Sequence, residues 1–367
     1  MEYNTLLLVF GIYYISVFSF AIFGNFLAEI IGFIKLLNVW MFIGTIASFL
    51  LLLLVGDGVQ WIYPVSFLLG LSLGFGFPTC LAFFTDHTSI EQRGLLSGIA
   101  FFLTCLGMFS IGLISSFLGP IESVLLFTIW RCIGLIVFIY VRPKQDNIAN
   151  TKNVSYKSII LNKSFKLYLI PWTMFCLVNF FIAPLFDVPL QHRFFGIHIR
   201  YLISIGEFGI GGLSSLIGGL VSDTIGRKRI IIAAYVMVGI GYALLSFSSS
   251  SLIVLYAYIM LDGVSWGIFS LMFYLVIWGD LAGDLMKHKF YLLGVLPFLI
   301  SSFISILMAP YAEVIPLSTA FSLASFFLFL AVVPLMYAPE TLPEKTLRER
   351  ELKSYIEKAK KIKEKYV

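Results

Sequence analysis

The chain has 367 residues, of which 59% are hydrophobic and 12% charged, with a mean hydropathy of +0.96. A water-soluble domain carries roughly 25% charged residues, so this composition excludes an ordinary soluble fold and makes the bilayer the solvent. The net charge of +5 asks for no nucleic-acid partner, because the basic residues have a membrane role.

Eleven apolar runs are long enough to span: 5–28, 37–55, 61–84, 94–117, 122–141, 166–186, 201–222, 230–248, 252–278, 289–309 and 316–337. The first is too long for a signal peptide, and Glu2 stands where such a peptide is basic. Most connections are short; 142–165, 187–200 and the tail from 338 are the exceptions. Counting alternate loops, 22 of the 25 lysines and arginines fall on one side, Arg193 and Arg200 on the other, and Arg131 within a span. The positive-inside bias makes the rich side cytoplasmic, with the N-terminus outside and the C-terminus inside. A multi-pass cell-membrane protein is therefore expected, with lipid bilayer as its surroundings.

The short stretch "GGLVSDTIGRKR" (218–229) places four charges between long apolar runs. It aligns with "GNFLAEIIGFIK" (24–35): Gly218 on Gly24, Asp223 on Glu29, Gly226 on Gly32, each offset by 194. A second motif keeps the same register. "DHTSIEQR" runs from Asp86 to Arg93 and "DLAGDLMK" from Asp280 to Lys287, each an acid, six residues and a base. Two motifs in one register point to a duplicated fold. The register leaves the second half's opening span, from 166, without a counterpart after Met1, so the first half is expected to lack its opening helix.

These residues resemble the major facilitator superfamily. Its motif after the second helix of a six-helix half reads here Gly219, Asp223, Gly226, Arg227, Lys228, Arg229; the acid-x6-base segments are similar to those of the family, and "APETLP" (338–343) resembles the Pro-Glu-Thr of sugar-porter-like members. In the first half Phe33 and Ile34 replace the usual basic residues. The resemblance implies an all-α polytopic membrane protein of two pseudo-symmetric helix bundles, with about eleven spans arranged five and six. The expected divisions are an N-terminal bundle (1–141), a cytoplasmic linker (142–165), a C-terminal bundle (166–338) and a basic tail (339–367). It also implies a central cavity, alternating access, and a gating role for Gly219, Asp223, Gly226, Arg227, Lys228, Arg229, Asp280, Lys287, Glu29, Asp86 and Arg93. The alternative for the cationic cluster is a topology anchor only.

Three ionisable residues lie inside spans: Arg131, Glu207 and Asp262. A charge at a helix centre costs about 2.5–3.5 kcal/mol on insertion scales, so its retention asks for a use. Asp262, with Tyr258, Ser265 and Trp266 at i−4, i+3 and i+4, lies in a helix that the resemblance places on the cavity. Trp172 and Asn179 lie seven apart on another such helix. Asp262, Glu207, Tyr258, Trp266, Trp172 and Asn179 are thus the candidates for solute or proton binding. A buried carboxyl can load and release a proton; a structural pair with Arg131, or plain packing, is the alternative. Arg131 itself is expected to pack or snorkel.

Other signals are weak. "GFGF" (74–77) and "GIGG" (209–212) lie inside spans with no strand before them, and no Walker lysine follows. The histidines (His87, His192, His198, His288) and the cysteines (Cys80, Cys105, Cys132, Cys176) have no metal-ligand spacing. No metal or other cofactor is expected, and no catalytic dyad marks an enzyme. In the tail, Leu352, Tyr355, Ile356, Ala359 and Ile362 fall at helical spacing, with Glu349–Lys353 and Glu357–Lys361 at i,i+4. It reads as a basic amphipathic helix on the inner leaflet or a solvated extension. The expected function is secondary active transport of a small organic solute, sugar-like or an organic ion, by alternating access with a proton as coupling ion, in symport. The competing readings are a non-transporting sensor or assembly partner and, more remotely, a polytopic enzyme.

Overall fold

The computed structural model describes residues 3–55, 59–143, 152–187, 203–312 and 314–343, together with Leu352. Among the described residues, eleven helices are long and apolar enough to cross a membrane: α1 Tyr3–Ile31, α2 Phe33–Val55, α3 Ile62–Asp86, α4 Arg93–Ser115, α5 Pro120–Val141, α6 Lys163–Phe186, α7 Ile203–Ile225, α8 Arg227–Phe247, α9 Leu252–Ala282, α10 Lys287–Tyr311 and α11 Leu317–Tyr337. Each matches one expected span. Helix is the required answer to an apolar solvent, since it satisfies every backbone N–H and C=O within the segment. The helices run a few residues past the hydropathy limits at one end, the charged end. Arg93, Arg227 and Lys287 begin helices there, and Asp86 ends one. Window hydropathy stops at the first charge; the backbone does not. Arg193, Arg200, His192, His198 and all of the expected tail helix except Leu352 lie outside the described residues.

The packing repeats with the 194-residue register. In the first half α1 packs on α3 and α2 on α5; in the second, α7 packs on α9 and α8 on α11. The halves meet along two seams, α4 on α7 and α1 on α10, and a shift of 194 converts one seam into the other. The α4–α7 seam is built from small residues. A Cβ added to Gly219 would strike the carbonyl of Gly94, and Ser215 Oγ donates to the Gly98 carbonyl at 3.4 Å. Such contacts let two backbones approach, which is how helices associate where lipid is as apolar as leucine.

Between 152 and 163 the chain is tied down at the charged end. Ser155 caps a short helix, Tyr156–Leu161, and Asn162 Oδ1 accepts from the backbone of Ser164 (2.8 Å) and Phe165 (3.2 Å) to start α6. Lys152 forms an isolated parallel bridge with Leu285 in the α9–α10 turn.

The core of the second half is aromatic. Trp172 stacks on Phe273 (4.7 Å between centroids), Phe175 meets Phe269 (4.4 Å), and Phe165 meets Trp278 (5.1 Å). The first half presents large apolar side chains outward, among them Phe26, Leu103 and Ile136, as a lipid-facing surface does.

Two turn glycines show that the repeat is structural. Gly32 has φ 88°, ψ 152° and Gly226 has φ 105°, ψ 154°, a region that side-chain-bearing residues avoid. A Cβ on Gly226 would also strike the Glu340 carboxylate. Gly226→Ala is therefore expected to cost about 1–3 kcal/mol, read as a lowered melting temperature of the purified protein in detergent. Gly112→Ala is the control, because nothing lies within 4 Å of a Cβ there; equal melting of the two variants would remove the assigned strain.

Candidate functional site

At the charged end the two acid-x6-base motifs exchange partners. Arg93, the base of the first motif, forms a short ion pair with Asp280, the acid of the second; Lys287, the base of the second, pairs with Asp86, the acid of the first, at 2.6 Å. Asp280 is fully buried. It also receives Arg227 Nε at 3.4 Å and the Thr341 hydroxyl at 3.1 Å. Arg227, itself fully buried, forms a second short ion pair with Asp223 and donates to the carbonyls of Ser222 (3.0 Å) and Ile90 (2.7 Å). Asp223 caps α4 across the seam, accepting from the backbone N–H of Gly94 (3.0 Å) and Leu95 (2.8 Å). Two acids and two bases thus neutralise each other out of water. Their remaining hydrogen-bonding capacity is spent on backbone, which a buried ion pair needs in order to be tolerated.

The other seam carries the related residues in a looser form. Glu29, the counterpart of Asp223, meets His288 Nε2 at 3.0 Å and Lys289 Nζ at 3.2 Å; these are the register counterparts of Gly94 and Leu95. Lys289 also donates to Asn153 Oδ1 (2.9 Å), and Asn25 Nδ2 to the Tyr156 hydroxyl (2.8 Å), so the interhalf segment is sewn into this seam. Burial raises the Tyr156 phenol above its ordinary pKa, which keeps it a neutral hydrogen-bonding group.

The remaining basic residues of the motif have different places. Lys228 Nζ donates to the carbonyls of Met336 and Ala338, both at 2.9 Å, and so caps the end of α11, while Arg229 is exposed. Glu340 of "APETLP" accepts from the backbone of Arg227 (2.8 Å) and Lys228 (3.2 Å), capping α8. Glu340 and Thr341 were visible in the sequence only as a weak resemblance; they are part of the charged cluster.

Beyond an aromatic layer, toward the opposite end, lies a cavity of about 220 Å³. Its lining is Asn179, Ala183 and Phe186 from α6, Ile203, Ser204 and Glu207 from α7, Tyr242 from α8, and Tyr258 and Asp262 from α9. Four of the six expected binding residues are brought together here: Asp262, Glu207, Tyr258 and Asn179. Trp172 and Trp266 are not. Trp172 is fully buried in the aromatic core, its indole N–H on the Gly294 carbonyl at 2.9 Å, and Trp266 leans on Phe175 and Phe298. Ser265 also turns away, donating to the Ala234 carbonyl at 3.0 Å. Helical spacing alone cannot separate cavity from core when every face is apolar.

Tyr242 and Phe186 went unnoticed in the sequence. Phe186 stacks on Tyr258 at 5.3 Å, and the Tyr258 hydroxyl donates to that of Tyr242 at 3.2 Å. Arg131 is not the counter-ion of Asp262. It stays within the first half, donating to the Gly44 carbonyl (2.7 Å) and Ser72 Oγ (3.0 Å), with its guanidinium 4.9 Å from the Phe127 ring centroid. The packing alternative for Arg131 therefore holds. Among the described residues no group of three histidines, cysteines or acids could hold a metal ion.

A family profile described as the Major Facilitator Superfamily matches residues 2–277. No curated protein matches in sequence. Solved structures with a similar fold include the human organic anion transporter MFSD10 (TETRAN), at 12% identity, TM-score 0.67, covering 90% of this chain and 83% of that one. The proton:xylose symporter XylE bound to 6-bromo-6-deoxy-D-glucose is similar at 13%, TM-score 0.69, over 93% and 88%. A bacterial homologue of the iron transporter ferroportin in an outward-facing state is similar at 13%, TM-score 0.66, over 90% and 88%.

The two ion pairs exchanged between the acid-x6-base motifs should differ in weight. Asp280→Asn leaves two buried guanidinium groups short of a carboxylate, a loss of about 3–5 kcal/mol by analogy with broken buried pairs. Asp86→Asn breaks a half-exposed pair, worth about 0–1 kcal/mol. Melting of the purified variants reads the difference, and equal shifts would contradict the asymmetry.

Proposed function

Because the chain belongs to the Major Facilitator Superfamily, we propose that it is a secondary active transporter, moving a small organic solute by alternating access with a proton as the coupling ion. It is a multi-pass membrane protein of a fold used for membrane transport of small solutes, and members of the superfamily are transporters and not enzymes. The observation that carries the reading is the division of labour along the membrane normal. One end is shut by ion pairs and caps that cross both seams, while the cavity lies in the other half of the span thickness.

The cationic end is read as cytoplasmic, with the N-terminus outside and the C-terminus inside, so this state is closed to the cytoplasm. The halves 1–141 and 166–338 are the bodies that rock. Asp223, Arg227, Asp280, Arg93, Lys287, Asp86 and Glu29 form the gate, and Gly219 and Gly226 give it its close approach and its turn. Lys228 ties the gate to the end of α11, and Arg229 adds to the positive-inside anchor.

Asp262 is the group proposed to carry the proton. It is buried, lies mid-span and lines the cavity. Glu207 is the second acid of the cavity. The similar proteins are an organic anion transporter, a proton:xylose symporter and a homologue of an iron transporter, and so supply no common solute. Asp262→Asn mimics the protonated form at nearly constant shape. In proteoliposomes it is expected to abolish accumulation driven by a pH gradient. Gradient-driven accumulation at the unsubstituted level would remove Asp262 as the coupling group.

A further inference from the structure

The proposed transport reading leaves the solute open, and the cavity's chemistry narrows it. Three aromatic rings, Phe186, Tyr242 and Tyr258, form a continuous wall: Phe186 stacks on Tyr258 at 5.3 Å, and Tyr242 sits 5.1 Å from Tyr258. Asp262 opens onto the same space, one turn along α9 from Tyr258, with 5% of its surface exposed. The groups facing it are Asn179 from α6, Glu207 from α7, Tyr242 from α8 and Tyr258 from its own helix. Among the described residues lining the cavity there is no lysine, arginine or histidine. The intramembrane Arg131 is engaged in the other half.

An aromatic wall with a carboxylate beside it is the recognition chemistry of an organic ammonium ion. The ring faces attract a diffuse cation, and the carboxylate supplies its counter-charge. A sugar would call for several donors and acceptors around its ring, and an anion would meet the Asp262 carboxylate as a like charge. About 220 Å³ is room for an ion of roughly ten non-hydrogen atoms at interior packing density.

We propose that this cavity binds a small organic ammonium ion, with Asp262 as counter-ion and Phe186, Tyr242 and Tyr258 as its wall, and that the ion and a proton occupy Asp262 in turn. This rests on the transport reading and changes its sense. When the ammonium ion arrives, the Asp262 carboxyl gives its proton to water; when the ion leaves, the carboxylate takes a proton back. One positive charge replaces another, so a one-for-one cycle is an exchange that moves no net charge, in place of symport.

The test uses the full chain in proteoliposomes loaded with a pH-sensitive dye. Choline and a series of primary to quaternary ammonium ions are compared with choline's neutral carbon isostere (dimethylbutanol), with xylose and with benzoate. Inward gradients of the ammonium ions are expected to drive protons out, raising internal pH, with a rate unchanged by an imposed membrane potential. Tyr258→Leu is expected to weaken ammonium binding at least about tenfold, since it removes both the ring and the hydroxyl. Because Asp262→Asn could fail for structural reasons, melting of the unsubstituted protein gives an independent reading: ammonium ions raise the melting temperature and the neutral isostere does not. If xylose or the isostere moves together with protons, the ammonium inference is overturned and the transporter reading stands. If benzoate is the transported class, the inference is overturned likewise. If no probe of any class moves, both fail.

Discussion

Everything at the charged end depends on Asp280. It is a fully buried carboxylate that takes one guanidinium from each half, Arg93 and Arg227, and a hydroxyl from the segment after α11. An acid in that position is costly alone and tolerable only in this company. The same holds for Arg227, which has no exposed surface and answers to both Asp223 and Asp280. Drawing the halves apart at this end would take Arg93 from Asp280, Asp223 from the backbone N–H groups of Gly94 and Leu95, and Arg227 from the Ile90 carbonyl together, while the pairs of Arg227 with Asp223 and Asp280 stay within the second half. Under the transport reading proposed above, closed and opened arrangements are then distinct states, as packed interfaces generally are.

The exchange of partners follows from symmetry. Around a two-fold axis, a contact from residue i of one copy to residue j of the other brings with it the contact from j to i. Asp86 and Asp280 occupy one register position and Arg93 and Lys287 another. Arg93 on Asp280 therefore entails Lys287 on Asp86, and both are present. What the duplication does not force is equal strength. Asp223 caps backbone N–H groups, whereas Glu29 meets the side chains of His288 and Lys289, beside the interhalf segment. The first pairing is buried. The second leaves Glu29 partly exposed and includes a histidine, and it is the seam where Phe33 and Ile34 stand in place of basic residues.

The spans, their number and the motif register were all legible in the sequence, because each rests on contrast: a charge against twenty apolar residues. The charged cluster was legible for the same reason, down to Arg227 and Asp280. The cavity was legible only where a charge marked it, at Asp262 and Glu207, and at two neighbours inferred from helical spacing. Tyr242 and Phe186 carried no mark. In a chain that is 17% aromatic, a tyrosine facing a cavity and one facing the core look alike. Trp172 shows the converse, since its spacing from Asn179 suited a cavity wall, yet its indole is enclosed by Phe175, Phe273 and Tyr274. Rotation of a helix about its own axis is set by partners, and in an apolar solvent the sequence holds little amphipathic record of it.

The cavity and the charged cluster are joined by two helices. α7 carries Glu207 at the cavity and Asp223 in the cluster; α9 carries Asp262 and Asp280. At about 1.5 Å rise per residue, each pair is separated by roughly 24–27 Å along its rod. The two helices pack against each other along their length. Each is interrupted by a π-helical turn, Gly206–Ile210 at Glu207 and Leu271–Val276 between Asp262 and Asp280. Such turns loosen the regular hydrogen-bond ladder and concentrate where a helix must adjust. Under the transport reading proposed above, neutralising Glu207 or Asp262 changes the charge at one end of these rods, and Asp223 and Asp280 stand toward the other. Between those ends stands the aromatic stack of Trp172, Phe273 and Trp278, and Phe273 itself lies in the second π-helical turn. On that reading, a displacement at the cavity reaches the charged cluster as motion of α7 and α9, which pack against each other over the distance between them.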